Sequence, residues 1–278
     1  MGIGEFVRPV AIVPVFVIAL LVGLMGSGGY AGPFALAQTF LAAGILTTAT
    51  VVGDSLNQVT DLEEDSVHPT KQDRPVPRGE VSPFRVTAIG VLVWLLLVVI
   101  ALVFLPNLFA LALVLILVFV WLYDFLRWKE KLGLNQLALS TPRGGIGFAA
   151  AWVVHGSLYS PILWAMLSVS VPYVLLANEA RNIGPDRDAD LAAGVQNITT
   201  VFGEERARLV VLAGLLWPVV PLLALGLWHS NPFAWILLAP GLVGLWGYRR
   251  LVPGALWRVF YVGLALIPLA FALGLFVR

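Results

Sequence analysis

No cysteine occurs in the 278 residues of this chain, which excludes disulfides and thiol chemistry. The absence of a thiol says nothing firm about compartment. Three histidines, at 68, 155 and 229, lie far apart and make no zinc pattern. Charge is scarce as well. Asp, Glu, Lys and Arg together are 12% of the residues, about half the share in an ordinary soluble domain. The formal net charge of +1 gives no footing for a nucleic-acid partner. Most telling is where charge is missing altogether: 9–53, 86–123, 144–178, 209–248 and 259–277 hold none of these four residue types.

What remains is hydrocarbon. Hydrophobic residues make up 59% of the chain. A bilayer core of about 30 Å takes roughly 20 apolar residues of helix, so each of the first four charge-free stretches fits two spans and the last fits one. Turn sequences divide them: GSGGYAGP at 26–33, LPN at 105–107, HGSLYSP at 155–161 and HSNP at 229–232. The expectation is an all-α bundle of nine transmembrane helices around a central cavity, forming one domain over 1–278 with two related halves, 1–133 and 134–278. The first apolar run lacks a small-x-small cleavage site and reads as the first helix, not as a signal peptide. With nine spans, segments 54–85, 124–143, 179–208 and 249–258 share the N-terminal side, with all sixteen acids and sixteen of the seventeen bases. Lys and Arg mark the cytoplasmic side. This predicts an inner-membrane protein with its N-terminus inside and Arg278 outside. The glycosylation-like triplet NIT at 197–199 then falls inside and is discounted.

The charge is concentrated in a repeated pattern. Asn57-x3-Asp61-x3-Asp65 follows the second span, and Asn182-x3-Asp186-x3-Asp190 follows the sixth. A spacing of four places Asn and both carboxylates on one helical face. An acid–base mixture in a loop is ordinarily a solvated face, but two copies with one spacing, both at helix ends, argue for a shared mouth. Six oxygen-bearing side chains gathered there are costly without a cation, and hard oxygen ligands select Mg²⁺ or Ca²⁺. Lys71, Arg74 and Arg78 follow the first motif, while Arg181 and Arg187 flank the second. Acids to hold metal and bases to hold an oxyanion suit a diphosphate. By this reading Glu63, Glu64 and Asp188 lie off the motif face and are solvated.

These residues resemble the UbiA superfamily of intramembrane prenyltransferases, and the resemblance runs over most of the chain. NQVTDLEEDSVHPTKQDRPVPRGEVS, from 57, is similar to the family's first Asp-rich motif, with Gln58 in place of the usual second-position Asp. DRDADLAAGVQNITTVFG at 186–203 resembles the second, especially that of the hydroxybenzoate polyprenyltransferase branch. VRP at 7–9 resembles an Arg-Pro entering helix one, and LYDFLRWKEKLGLNQLA at 122–138 the Tyr-containing loop after helix four. Asp124 stands where members often carry a small residue and reads as a loop charge. The resemblance implies Mg²⁺ held by Asn57, Asp61, Asp65, Asp186 and Asp190, and an isoprenyl diphosphate as donor. It also implies a lipophilic, aromatic acceptor such as a hydroxybenzoate or quinone precursor. Asp61, Asp65, Asp186, Asp190, Lys71, Arg74 and Tyr123 become the catalytic candidates. Arg8, Asn57, Arg78, Asn135, Arg181, Asn182 and Arg187 join Lys71, Arg74 and Tyr123 as substrate-binding candidates. Tyr123 is equally an interfacial aromatic, Arg8 a membrane anchor, and Asn135 and Arg143 caps of helix five. No protein partner is implied. Phosphoribosyl, glycerol-ether and chlorophyll-type relatives keep donor and acceptor open. A cation transporter is the reading from another class, and it predicts ionisable residues along the spans.

Overall fold

The computed structural model describes residues 9–28, 32–67, 71–224, 231–250 and 253–276, with the side chains of 9–11, 67, 185, 186, 253 and 276 excepted. All regular structure among them is helical. The helices are α1 (Pro9–Gly26), α2 (Pro33–Thr60), α3 (Leu62–Val67), α4 (Pro83–Phe104) and α5 (Asn107–Asp124), followed by α6 (Leu134–Ser140), a π-helical stretch (Thr141–Ile146) and α7 (Gly147–Trp152). Then come α8 (Pro161–Ala177), continued by a 3₁₀ turn (Asn178–Arg181), α9 (Pro185–Ala192), α10 (Ile198–Phe202), α11 (Glu204–Leu216) and α12 (Val219–Ala224). A 3₁₀ segment (Pro232–Leu238) leads into α13 (Ala239–Gly247), and α14 (Pro253–Phe276) closes the chain. Proline starts α2, α4, α8, α9 and the 232–238 segment. There its missing N–H costs nothing and its fixed φ suits a helix start.

Six helices are long and apolar enough to cross a membrane: Pro33–Thr60, Pro83–Phe104, Asn107–Asp124, Pro161–Arg181, Glu204–Ala224 and Gly254–Leu275. Ile12–Gly26 and Pro232–Gly247 are shorter apolar helices. The protein is a multi-pass membrane protein. Its surface agrees, with Phe34, Phe84, Leu92, Trp164 and Trp246 at least 60% exposed, an arrangement that lipid rewards and water would not. Of the four expected turns, the second and third fall between helices as placed, and the first lies partly outside the described residues, which hold 26–28, 32 and 33 from it. The fourth lies partly outside the described residues, which hold Asn231 and Pro232 from it.

The bundle closes through small residues. α1 packs on α2, α7 and α14, α2 on α4, and α8 on α11. At Gly144 an added Cβ would come within 2.7 Å of the Ser170 carbonyl oxygen, and at Gly214 within 2.5 Å of the Ala177 nitrogen. Helix pairs in lipid gain from such close backbone approach. Ser170 adds a hydrogen bond to the Gly144 carbonyl at 2.5 Å.

Candidate active site

The two motifs share a spacing but not a backbone. Through the first, the helical hydrogen bonds continue across the junction of α2 and α3. Asp61 donates its N–H to the Asn57 carbonyl at 2.9 Å, and Asp65 to that of Asp61 at 2.7 Å. Asn57, Asp61 and Asp65 therefore do lie along one face. Gln58, about 100° further round the helix, is buried and does not line the cavity described below. The second motif is interrupted. Asn182 ends the 3₁₀ turn, and Gly184 takes φ 88° before Pro185 starts α9. A residue preceding proline avoids the helical region, and glycine alone adopts positive φ freely. The one-face expectation fails here, and the cause was visible as "GP" at 184–185.

A cavity of about 320 Å³ opens where α2, α3, α5, α6, α9 and α14 meet. Four carboxylates line it (Asp61, Glu64, Asp65 and Asp190) with four cations (Lys71, Arg74, Lys129 and Arg181). Asn57, Tyr123, Asn135, Asn182 and Asn197 complete its polar lining. Arg74 binds Asp65 at 2.5 Å. Lys129 forms an ion pair with Asp61 and stands 3.8 Å from Glu64. Asp61 also takes the Asn57 amide. Arg127 pairs with Glu64 and Glu130 and donates to the Thr60 carbonyl at 3.1 Å. These bonds hold Arg127 at φ 55°, a strained conformation for a residue with a Cβ. Burial pulls the Lys129 ammonium down to about 8, against the opposing fields of Glu130 and Asp190.

Across the cavity neutral side chains bond to the second motif. Asn197 donates to Asp190 at 2.7 Å while its carbonyl caps α10 through the Thr200 N–H at 2.8 Å. Glu179, 2% exposed, accepts from the Thr199 N–H and hydroxyl at 2.8 and 2.7 Å and from Asn182 at 3.3 Å. The Gln196 N–H reaches the Glu130 carbonyl at 2.9 Å, tying the two motif regions together. Arg181 stacks over Trp257 at 5.0 Å, a cation–π contact.

Ten of the candidates meet in this cavity: Asn57, Asp61, Asp65, Lys71, Arg74, Tyr123, Asn135, Arg181, Asn182 and Asp190. Two do not line it. Arg78 is half-exposed and pairs with Glu80 at 2.9 Å, and Arg187 pairs with its neighbour Asp188 at 3.1 Å. Arg8 lies outside the described residues, and so does the side chain of Asp186, whose backbone is in α9. Asn135 has a second task beyond lining, because its amide donates to the Lys129 carbonyl at 2.7 Å and so sets the lysine. Two expectations need correction. Glu64 is no solvated bystander, since one helical turn of α3 brings it to the cavity wall. Asp124 is no loop charge either, being the last residue of α5 and 2% exposed. Sequence reading passed over Lys129 and Asn197. The one signal for Lys129 was its place in the charged RWKEK run at 127–131, beside the Tyr-containing loop; Asn197 was hidden inside the discounted triplet.

Below the polar cavity lies a second chamber of about 160 Å³, and Asn57, Tyr123, Leu139 and Arg181 line both. Its walls are mostly apolar, including Ile18, Leu46, Ile116, Phe119, Phe148 and Leu264. Among the described residues no three Asp, Glu or His side chains form a ready metal site. The donor set fits a hard divalent cation nonetheless. Asn57, Asp61, Glu64, Asp65 and Asp190 bring oxygen to one cavity, and the first-motif acids are already neutralised by cations that a metal would replace.

The UbiA prenyltransferase family profile matches residues 15–256. The digeranylgeranylglyceryl phosphate synthase of Natronomonas pharaonis is 28% identical, over 93% of this chain and 87% of its own length. A protoheme IX farnesyltransferase of Anaeromyxobacter is 36% identical over 73% and 69%. Among solved structures, a UbiA homologue from Archaeoglobus fulgidus bound to GPP and Mg²⁺ superimposes with a TM-score of 0.74 at 15% identity, over 98% of this chain and 97% of the other.

Proposed function

The chain belongs to the UbiA prenyltransferase family, and from that premise we propose that it is a Mg²⁺-dependent enzyme moving an isoprenyl group from its diphosphate to a hydroxyl-bearing amphiphile. The observation that carries this is the pair of joined chambers, one ringed by charge and one walled by hydrocarbon, meeting at Asn57, Tyr123, Leu139 and Arg181. A diphosphate fits the first and a prenyl tail the second. The reactive allylic carbon would then sit at the junction.

Asn57, Asp61, Asp65, Asp186 and Asp190, with Glu64, would hold the metal. When bound, Mg²⁺ neutralises diphosphate oxygens and stabilises the charge that collects on the leaving group. Lys71, Arg74 and Arg181 supply fixed positive charge to the same oxygens, and their worth rises as the site loses water. The Tyr123 ring borders the place where the allylic carbon becomes cationic, and an aromatic face stabilises such charge. The apolar chamber keeps water from quenching it. Lys129, which lines the same cavity and pairs with Asp61, would offer a further positive charge to the diphosphate.

The Natronomonas relative is named for synthesis of a digeranylgeranylglyceryl phosphate, which points to a glyceryl phosphate acceptor, whereas DRDADL resembles the hydroxybenzoate branch. Both acceptor types combine a hydroxyl with an anionic group. Arg143 and Arg181 in the apolar chamber suit the anion. The remaining features of the reading are nine crossings, two related halves, and a site that faces the cytoplasm of the inner membrane. Confinement of sixteen of the seventeen bases to one set of loops supports them.

The test is protection of the purified protein against heat unfolding by isoprenyl diphosphates with Mg²⁺. Each added CH₂ in the chamber contributes about 0.8 kcal/mol, so geranylgeranyl diphosphate should act at lower concentration than geranyl diphosphate. Phosphoribosyl diphosphate should protect weakly, through its diphosphate alone. The reverse order would remove the prenyl donor while keeping a diphosphate site.

A further inference from the structure

Two carboxylates sit where a hydrocarbon chamber should have none. Asp54, on α2 two turns before Asp61, and Asp124, the last residue of α5, both line the apolar chamber. Asp124 is 2% exposed, and its Oδ1 has no hydrogen-bond partner among the described residues. The Thr60 hydroxyl lies beside it, and Asp54 is close enough to repel it. The nearby arginines act on Asp124 through their fields and bond to other groups. Arg127 is held by Glu64, Glu130 and the Thr60 carbonyl, and Arg143 donates to Asn178 at 3.4 Å.

Three costs coincide at Asp124. It is a buried acid without a matched base, it has a like charge for a neighbour, and it lies at the negative end of a helix. The Thr60 hydroxyl and the fields of Arg143 and Arg127 offset part of these costs, but among the described residues none donates a hydrogen bond to Oδ1. A buried acceptor left unsatisfied calls for a donor from outside the chain. The donor that this chamber must admit is the acceptor's hydroxyl.

We propose that Asp54 and Asp124 form the acceptor-side pair of the transferase, taking the hydrogen bond of an acceptor hydroxyl and then its proton. This rests on the prenyl-transfer reading. In the step, the bond from the allylic carbon to the diphosphate oxygen breaks, and its electron pair leaves with diphosphate. The acceptor oxygen forms a bond to that carbon, and its proton passes to the carboxylate pair. Asp124 is the closer catalytic residue because it lines the chamber and its Oδ1 has no hydrogen-bond partner among the described residues. Arg143, on the same wall, holds the anionic group of an acceptor and so orients its hydroxyl toward the pair. The class of acceptor that follows is an alcohol or phenol carrying a phosphate or carboxylate; a purely hydrocarbon nucleophile would leave the pair unsatisfied.

The experiment compares full-length wild type with Asp124→Asn, Asp54→Asn and the double variant, using labelled geranylgeranyl diphosphate and Mg²⁺. Acceptor arms are a 1-O-alkylglycerol 3-phosphate, 4-hydroxybenzoate and the O-methyl ether of each. The two hydroxyl arms separate the phosphate source from the carboxylate source, and the ethers report dependence on a free hydroxyl. Asn keeps the shape but cannot take the proton, so Asp124→Asn should lose about 100-fold or more of kcat/KM for the hydroxyl acceptor. Heat protection by the donor should stay as in wild type, and the donor consumed should emerge as prenol. Wild-type kcat/KM in the double variant would overturn the inference alone, as would loss of donor protection in parallel with loss of transfer. A wild-type protein that neither binds nor consumes the donor would overturn the transferase reading along with it.

Discussion

The first and second Asp-rich motifs have the same spacing, yet the protein neutralises them by different means. Asp61, Glu64 and Asp65 each meet a cation, from Lys129, Arg127 and Arg74. Asp190 takes the neutral amide of Asn197, and the nearby Glu179 is satisfied by Thr199 and Asn182. A continuous helix carries the first set, whereas Gly184 and Pro185 break the second. The first motif is therefore ion-paired within the fold, and under the proposed reading a metal would have to displace those cations. In the same reading the second motif would present Asp190 already oriented by Asn197.

Removing the carboxylates tests that difference most severely. Asp61→Ala, Asp65→Ala, Asp186→Ala and Asp190→Ala should each abolish most turnover in protein that still folds, and chelation should do the same until Mg²⁺ is restored. Full activity in chelator would end the metal role. The asymmetry lies in stability. Asp190→Ala removes the partner of the neutral Asn197 amide, while Asp61→Ala removes the carboxylate ion-paired with the buried Lys129.

Lys129→Met is the sharper form of the same comparison. Removing one member of a buried ion pair costs about 3–5 kcal/mol, here by stranding Asp61 beside Glu64. A marked fall in thermal midpoint is expected, partly recovered by Mg²⁺, which would take the place of the ammonium. A midpoint unchanged by the substitution would show that the ion pair is not under load.

Asn197→Ala comes next. It removes a helix cap, worth about 1 kcal/mol, together with the bond that orients Asp190. Turnover should fall more than stability does. If both fell together, Asn197 would matter to the fold and not to the orientation of Asp190.

The smallest effects belong to the bases that do not line the cavity. Arg78→Ala and Arg187→Ala break exposed pairs worth about 0–1 kcal/mol, and unfolding midpoints should barely move. Donor protection should also persist. A large loss of donor affinity in either variant would place that arginine at the diphosphate after all, through a closure of the loops.

Much of this was legible in one dimension. The charge-free stretches located the helices, and the spacing of four collected Asn57, Asp61 and Asp65 on a face, because helical periodicity is local. Lys129 escaped notice because one lysine in a mixed loop looks solvated until Asn135 and the 128–130 turn tuck it 5% exposed against Asp61. Arg78 and Arg187 do not line the cavity, because proximity in sequence to a motif does not decide which way a long side chain reaches.

By itself the sequence determined a helical membrane protein with two oxygen-rich motifs. Bilayer thickness demands apolar runs of a given length, and hard cations demand carboxylates, and both demands are written residue by residue. Tertiary structure alone decided which carboxylate meets which base, that Glu64 belongs to the cavity and Arg78 does not, and that Asp54 and Asp124 face an apolar chamber. Those outcomes depend on distances between helices far apart in sequence, where a turn of about 100° per residue separates a lipid-facing side chain from one that lines the site.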